Sequence, residues 1–309
     1  MHFDKIKLKM PEDSMFITGV IPPMITPFTQ NGGLDLTAHA ANVLRWNKAG
    51  LRGYLVLGSN SEAVYLNERE KLRLIEQTRE NASPGRLILA GTGMEATRET
   101  IHLTREAAKA GAHAALIITP AFYRSQMKDE AQIRHFQAIA DASPIPVLIY
   151  NVTKYTGVNL SPRAVEVLSQ HPNIVGMKDS SGSIPQMVQY QKAAAEGFNL
   201  LVGTASAWYP ALTLGVTGAI MALANCAPEH CVRVQQSFDA GRKTEAEELY
   251  RRLFPVNQAV TATYGIAGLK YACTLRGYQG GYVRSPLPEL SGQEQEEVKV
   301  ILEKAGLGG

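Results

Sequence analysis

Lys178 and Tyr150 are the side chains best suited to covalent and proton-transfer chemistry, and each closes a short apolar run: IVGMK at 174–178 and PVLIY at 146–150. A lysine amine shielded from water is a nucleophile that condenses with a ketone to form a Schiff base. Period-two alternation puts Ile174, Gly176 and Lys178 on one strand face and Val175 and Met177 on the other. If the lysine's face is a barrel interior, desolvation disfavours the charged ammonium and leaves a reactive amine. The alternative is a lysine that snorkels from the strand end to solvent, and spacing alone does not separate the two. Tyr150 shuttles a proton if a second hydroxyl such as Ser59 holds it near the lysine; without the lysine it reads as an amphipathic tyrosine in the strand wall. Ser59 and Asn60 follow YLVLG at 54–58. Exposed backbone N–H groups and a hydroxyl there suit a carboxylate, and they suit an ordinary loop equally well.

Other chemistries lack their residues. The seven histidines are scattered, with no HxH, HxxxH or HxxE pair at strand ends, whereas a metal site needs a cluster of ligands. Metal: none is therefore the expectation. Cys226 and Cys231 open a helix, where burial is their expected role, and three cysteines make no disulfide framework.

These side chains need strands to hold them. Near-continuous apolar runs at 19–28, 53–59, 86–93, 114–122, 146–152, 174–181, 200–206 and 219–225 read as parallel strands buried on both faces. Helical stretches lie between them. Asn67 with Glu70 reads as a capping box, and Ser161-Pro162 as N-cap plus first-turn proline. Segments 129–142 and 184–196 supply two more helices. Eight strands alternating with helices over about 210 residues match a (β/α)8 TIM barrel. Its strand ends are the active face, and loops after strands three to five are expected to wall the pocket. The competing open doubly wound sheet draws on GTGMEA at 91–96, a GxGxxA match. The following strand ends IITP without the acidic residue that a dinucleotide site wants, so Gly91 and Gly93 read as a tight rim turn. After Asn225 only helices follow, at 228–240, 244–256, 259–275 and 293–302. The division expected is 15–240 for the barrel and 241–309 for a C-terminal helical region packed on it.

Composition fits this reading. The chain has 309 residues, 45% apolar and 19% charged, with net charge +3 and no dense basic block. That argues against nucleic-acid and anionic-membrane partners. No apolar run reaches the roughly 18 residues of a membrane span. Residues 1–15 lack a secretory hydrophobic stretch, and a reducing cytoplasm is the expected location.

The strand-end motifs resemble a known family. GSNSE at 58–62, PAFYR at 120–124, YNV at 150–152 with Thr156-Gly157, GMKDS at 176–180 and Gly203 resemble the dihydrodipicolinate synthase/N-acetylneuraminate lyase superfamily of class I aldolases. The likeness runs from about residue 19 to 302. It implies a TIM barrel with C-terminal helices, usually a homotetramer, and a Schiff base between Lys178 and the keto carbon of pyruvate or another 2-keto acid. It also implies Tyr150 as the proton-transferring tyrosine and Ser59 and Asn60 as carboxylate binders. Gly203 and Ile220 would line the pyruvate pocket, with Ser180 beside them, and no cofactor is required. Within the superfamily the chain looks closest to the 4-hydroxy-2-oxoglutarate aldolase branch, on GSN at 58–60, LSQHPNIVGMKDS at 168–180, ALAN at 222–225 and RSPL at 284–287.

Four positions depart from the family pattern. Tyr155 stands where the synthases carry an arginine for the second substrate's carboxylate, and Phe122 where they carry a second tyrosine. Both departures count against synthase activity. Ser61 replaces a glycine, whose usual φ > 0 serine disfavours, and Thr153 replaces a proline. The resulting expectation is a metal-independent lyase cleaving a 4-hydroxy-2-keto acid to pyruvate and an aldehyde, glyoxylate for 4-hydroxy-2-oxoglutarate. The alternatives are 4-hydroxy-tetrahydrodipicolinate (dihydrodipicolinate) synthase, a 2-keto-3-deoxy sugar-acid aldolase, and a non-catalytic barrel that binds a keto acid without turnover.

Overall fold

The computed structural model describes residues 16–308; residues 1–15, and the leader expectation that rests on them, lie outside it. Eight parallel strands form one sheet: β1 (Gly19–Ile21), β2 (Gly53–Val56), β3 (Leu87–Gly91), β4 (Ala114–Ile118), β5 (Val147–Asn151), β6 (Ile174–Asp179), β7 (Asn199–Val202) and β8 (Gly218–Ile220). Neighbours run in chain order, and β1 pairs with β8. A parallel bridge between Pro23 and Leu55 joins β1 to β2 and closes the ring. This is the (β/α)8 barrel expected from the sequence, with helices following its last strand.

Both strand faces are apolar because both are covered. Ile21, Leu55, Leu89, Leu116, Leu148, Leu201 and Ile220 fill the interior. Val20, Val56, Ile88, Ile117, Ile149, Met177 and Val202 pack outward against the helices. Burying such a side chain fully is worth roughly 1.5–3 kcal/mol, which is why the runs lack alternation. The strands are shorter than the apolar runs suggested. The run at 19–28 stops at Ile21 because Pro22, Pro23 and Pro27 bring no N–H to the ladder. The run at 53–59 stops where Leu57 turns to φ 63°.

Helix signals fall where expected. Asn67 accepts from Glu70 N at 2.9 Å and the Glu70 carboxylate accepts from Asn67 N at 3.0 Å, opening helix Glu68–Asn81. Ser161 caps Pro162–Ser169. The stretch expected as one helix at 259–275 divides instead into a π-helical turn, Ala259–Thr263, and a helix, Gly265–Leu275. Gly91 and Gly93 sit at a rim turn, where close approach rather than positive φ demands glycine. A Cβ on Gly91 would run into the Leu57 carbonyl, and one on Gly93 would lie 2.6 Å from Ile118 N. Among the described residues no helix is long and apolar enough to cross a membrane.

Candidate active site

Strand β6 delivers Lys178 to the barrel interior, but with one correction to its alternation. The register against β5 slips at Val175: Val147 pairs with Ile174, then Leu148 with Gly176 and Tyr150 with Lys178. Ile174 therefore packs outward with the helices, and Val175 packs against the inner cluster. An extra residue in one strand of a pair is a bulge, and it resets which side chains point in. From Gly176 onward alternation holds, so Lys178 faces inward and Asp179 outward.

Asp179 anchors the end of the strand. Its carboxylate accepts from Asn151 Nδ2 at 2.8 Å, from Ser181 Oγ at 2.5 Å and from Gln186 Nε2 at 3.3 Å. A buried carboxylate satisfied in this way costs little and fixes the backbone on either side of the lysine.

Lys178 is 3% exposed and Tyr150 6%. As cross-strand partners they share the inner face, with Lys178 Nζ 4.2 Å from the Tyr150 ring centroid. Tyr150 Oη lies 3.2 Å from Ser59 Oγ, on the one-turn helix Ser59–Ser61 that follows β2. Ser59, Asn60, Tyr150, Lys178, Ser180 and Gly203 all line one cleft of ≈ 230 Å³. That is smaller than most drug-sized pockets and suits a small acid. Ser180 Oγ is buried there without a hydrogen-bond partner among the described residues.

Ser61, which stands where the family's glycine would take a positive φ, does not adopt one. The positive φ values fall on Leu57 and Glu62. Ser61 is buried instead; its hydroxyl accepts from Gly58 N at 3.0 Å and donates to Met24 O at 2.5 Å. Thr153 opens the one-turn helix Thr153–Thr156, a first-turn position where proline is also accommodated.

Two residues singled out by the family resemblance, Ile220 for the pocket and Phe122 at the second-tyrosine position, lie off the cleft. Ile220 is fully buried in the inner core, and Ala222, two residues further on, reaches the cleft in its place. Phe122 is 78% exposed, its backbone N–H held by the Glu95 carboxylate at 2.9 Å, and it does not line the cleft. Tyr155 does line it. The walls come from the loops after β2 and β5–β8, not from those after β3 and β4.

The remaining wall was missed from sequence. Asn257, Gln258, Val260, Thr261, Gly265 and Ile266 belong to the C-terminal helices. Asn257 Nδ2 donates to Ser206 Oγ at 3.0 Å and Tyr250 Oη to Ser206 O at 2.7 Å, docking this segment on the loop after β7. The only sequence signal was a polar interruption, Asn257-Gln258 and then TATYG at 261–265, in an otherwise apolar helical stretch.

Among the described residues no group of three His, Cys, Asp or Glu side chains stands close enough to hold a metal ion. His39 and His135 are hydrogen-bonded to Thr78 and Thr97, and burial pushes each down to about 4, so they are neutral at ordinary pH. The three cysteines are buried and unpaired, with burial pushing their thiols up.

Gly203 gives a direct test of the packing around Lys178. A Cβ there would overlap Ser180 Oγ and come within 2.9 Å of Lys178 Cε. Gly203→Ala should leave a folded protein, at a cost of about 1–3 kcal/mol for overpacking. Displacing the amine by even about 1 Å should slow its capture by a 2-keto acid and borohydride roughly 10²-fold. An unchanged capture rate would show that Lys178 does not depend on this contact.

The family model described as the dihydrodipicolinate synthetase family matches residues 16–305. A 4-hydroxy-tetrahydrodipicolinate synthase of Methanothrix thermoacetophila is 36% identical over 287 residues, spanning 93% of this chain and 96% of that protein. One from an Exiguobacterium species is 34% identical, over 93% of this chain and 97% of the relative. The crystal structure of a chloride-inhibited dihydrodipicolinate synthase from Acinetobacter baumannii, complexed with pyruvate, matches with a TM-score of 0.90 at 30% identity. That match covers 94% of this chain and 100% of the other.

Proposed function

The chain belongs to the dihydrodipicolinate synthetase family and is a pyruvate-dependent class I aldolase, a carbon–carbon lyase; we propose that it cleaves a 4-hydroxy-2-keto acid, 4-hydroxy-2-oxoglutarate, to pyruvate and glyoxylate. One observation carries this reading: a buried lysine amine beside a tyrosine–serine hydroxyl pair, in a small cleft lined by no Asp or Glu among the described residues.

In this reading Lys178 Nζ attacks the C2 carbonyl, water leaves, and the protonated imine becomes the electron sink. Tyr150 gives its phenolic proton to the hydroxyl that leaves as water, and the phenolate, held by Ser59, then takes the C4 hydroxyl proton. The C3–C4 bond breaks, its electron pair passes to the imine, and an aldehyde departs from the enamine. Protonation at C3 and hydrolysis release pyruvate and restore the amine. Ser59, Asn60 and Ser180 hold the C1 carboxylate in register. No metal or cofactor takes part.

A second reading, condensation of pyruvate with aspartate semialdehyde, is favoured by the names of the curated relatives. Against it stands the side chain at 155. Tyrosine offers no fork of N–H donors where a guanidinium would grip the second substrate. Losing a charge-assisted pair costs about 1.5–3 kcal/mol, or one to two decades. The kcat/KM for cleavage should therefore exceed that for condensation by about 10–100-fold on one preparation. Condensation equal to or faster than cleavage establishes the synthase instead. Assembly as a homotetramer is part of the same proposal, and light scattering reads it directly.

A further inference from the structure

The cleft holds a second cation that the chemistry at Lys178 does not use. Lys154, in the one-turn helix after β5, lines the same cleft as Lys178. Its Nζ donates to Thr261 O, in the π-helical turn Ala259–Thr263, at 3.2 Å. It also lies 5.7 Å from the Tyr155 ring centroid. No carboxylate among the described residues forms an ion pair with it, and no Asp or Glu lines the cleft. An ammonium has three donors, so one backbone acceptor leaves two for a ligand. Arg124, the other basic residue near these positions in sequence, does not line the cleft; its guanidinium sits against Gly157.

We propose that Lys154 is the specificity-determining residue of this cleft and pairs with the far carboxylate of a dicarboxylic 2-keto acid. The proposal rests on the Schiff-base reading above but not on which acid is turned over. With Lys178 engaged at the keto carbon, a cation on the wall built by residues 154 and 261 favours a substrate anionic at both ends. A neutral tail gains nothing from it. The helical segment after the barrel thus contributes to selection by holding the ammonium toward the cleft through Thr261 O.

The test uses imine capture, which needs no turnover. Lys178 is trapped with borohydride and 2-oxoglutarate or 2-oxopentanoate, which carries a methyl in place of the far carboxylate, and the half-saturating concentration of each is measured. The unsubstituted protein should prefer 2-oxoglutarate. In Lys154→Met that preference should fall about 10–100-fold, as expected for one charge-assisted contact, with the loss confined to the dicarboxylic acid. Lys154→Arg should keep most of it. An equal loss on both acids, or no loss on either, overturns the proposal. If no keto acid modifies Lys178 in the unsubstituted protein, the Schiff-base reading itself fails and the proposal falls with it.

Discussion

Lys178→Ala should lower aldolase activity by about 10⁴-fold or more, which corresponds to roughly 5 kcal/mol of transition-state stabilisation. The size follows from the chemistry rather than from packing. Without the imine the C3–C4 bond must break toward an unactivated ketone, and among the described residues no other amine stands at the Tyr150–Ser59 pair. The second lysine in the cleft, Lys154, is hydrogen-bonded instead to Thr261 O. Lys178→Arg should be equally inactive, because a guanidinium that stays protonated is not a nucleophile. The fold should survive both changes. Lys178 is 3% exposed, with no carboxylate paired to it among the described residues, so removing it strands no partner charge. A thermal midpoint close to that of the unsubstituted protein is expected. Activity above about a tenth of the original, or an undiminished mass increment on borohydride trapping with pyruvate, would remove Lys178 from the mechanism.

The barrel was legible because burial on both strand faces writes itself as unbroken apolar runs, and because Asn67/Glu70 and Ser161/Pro162 mark helix starts by local hydrogen bonding alone. Lys178 and Tyr150 were legible for a related reason: a polar residue closing such a run has few places to go but the rim. What could not be read depends on contacts distant in sequence. The slip at Val175 is set by pairing with β5, and IVGMKD shows no irregularity of its own. Ile220 and Ala222 are two residues apart, yet Ile220 ends β8 inside the core and Ala222, opening the helical turn Ala222–Asn225, meets the cleft. Phe122 follows a strand but leaves on a loop anchored by Glu95, which lies 27 residues earlier. The wall from Asn257 to Ile266 reaches the site through Ser206, a contact that no local pattern announces. Local propensity and burial are encoded nearby; docking is not.

The same dependence on distant contacts makes the ion pair between Glu62 and Lys270 a sensitive point. Glu62 follows the Ser59–Ser61 turn and takes φ 56°, and its carboxylate is fully buried. Lys270, in helix Gly265–Leu275, meets Glu62 Oε1 at 2.5 Å and also donates to Tyr282 O at 2.5 Å. The Phe28 ring carries Lys270 Nζ at 4.5 Å and the Arg284 guanidinium at 4.2 Å. Arg284 N donates to Glu62 Oε2 at 2.7 Å, and the guanidinium forks onto Glu70. Burial draws the Lys270 pKa below the ordinary lysine range, and Glu62 opposes that. Truncating one partner strands the other's charge in a dry interior, which typically costs about 3–5 kcal/mol. Lys270→Met should therefore lower the thermal midpoint by on the order of 10 °C. Glu62→Gln should do the same, since it leaves the ammonium unpaired. The double variant, Glu62→Gln with Lys270→Met, removes both charges, and it should recover most of the loss because a pair replaced together is often nearly neutral. Denaturant unfolding of all four proteins gives the coupling. If the double variant is as unstable as the sum of the singles, the two charges act independently and the pair does not hold the turn to the C-terminal helices.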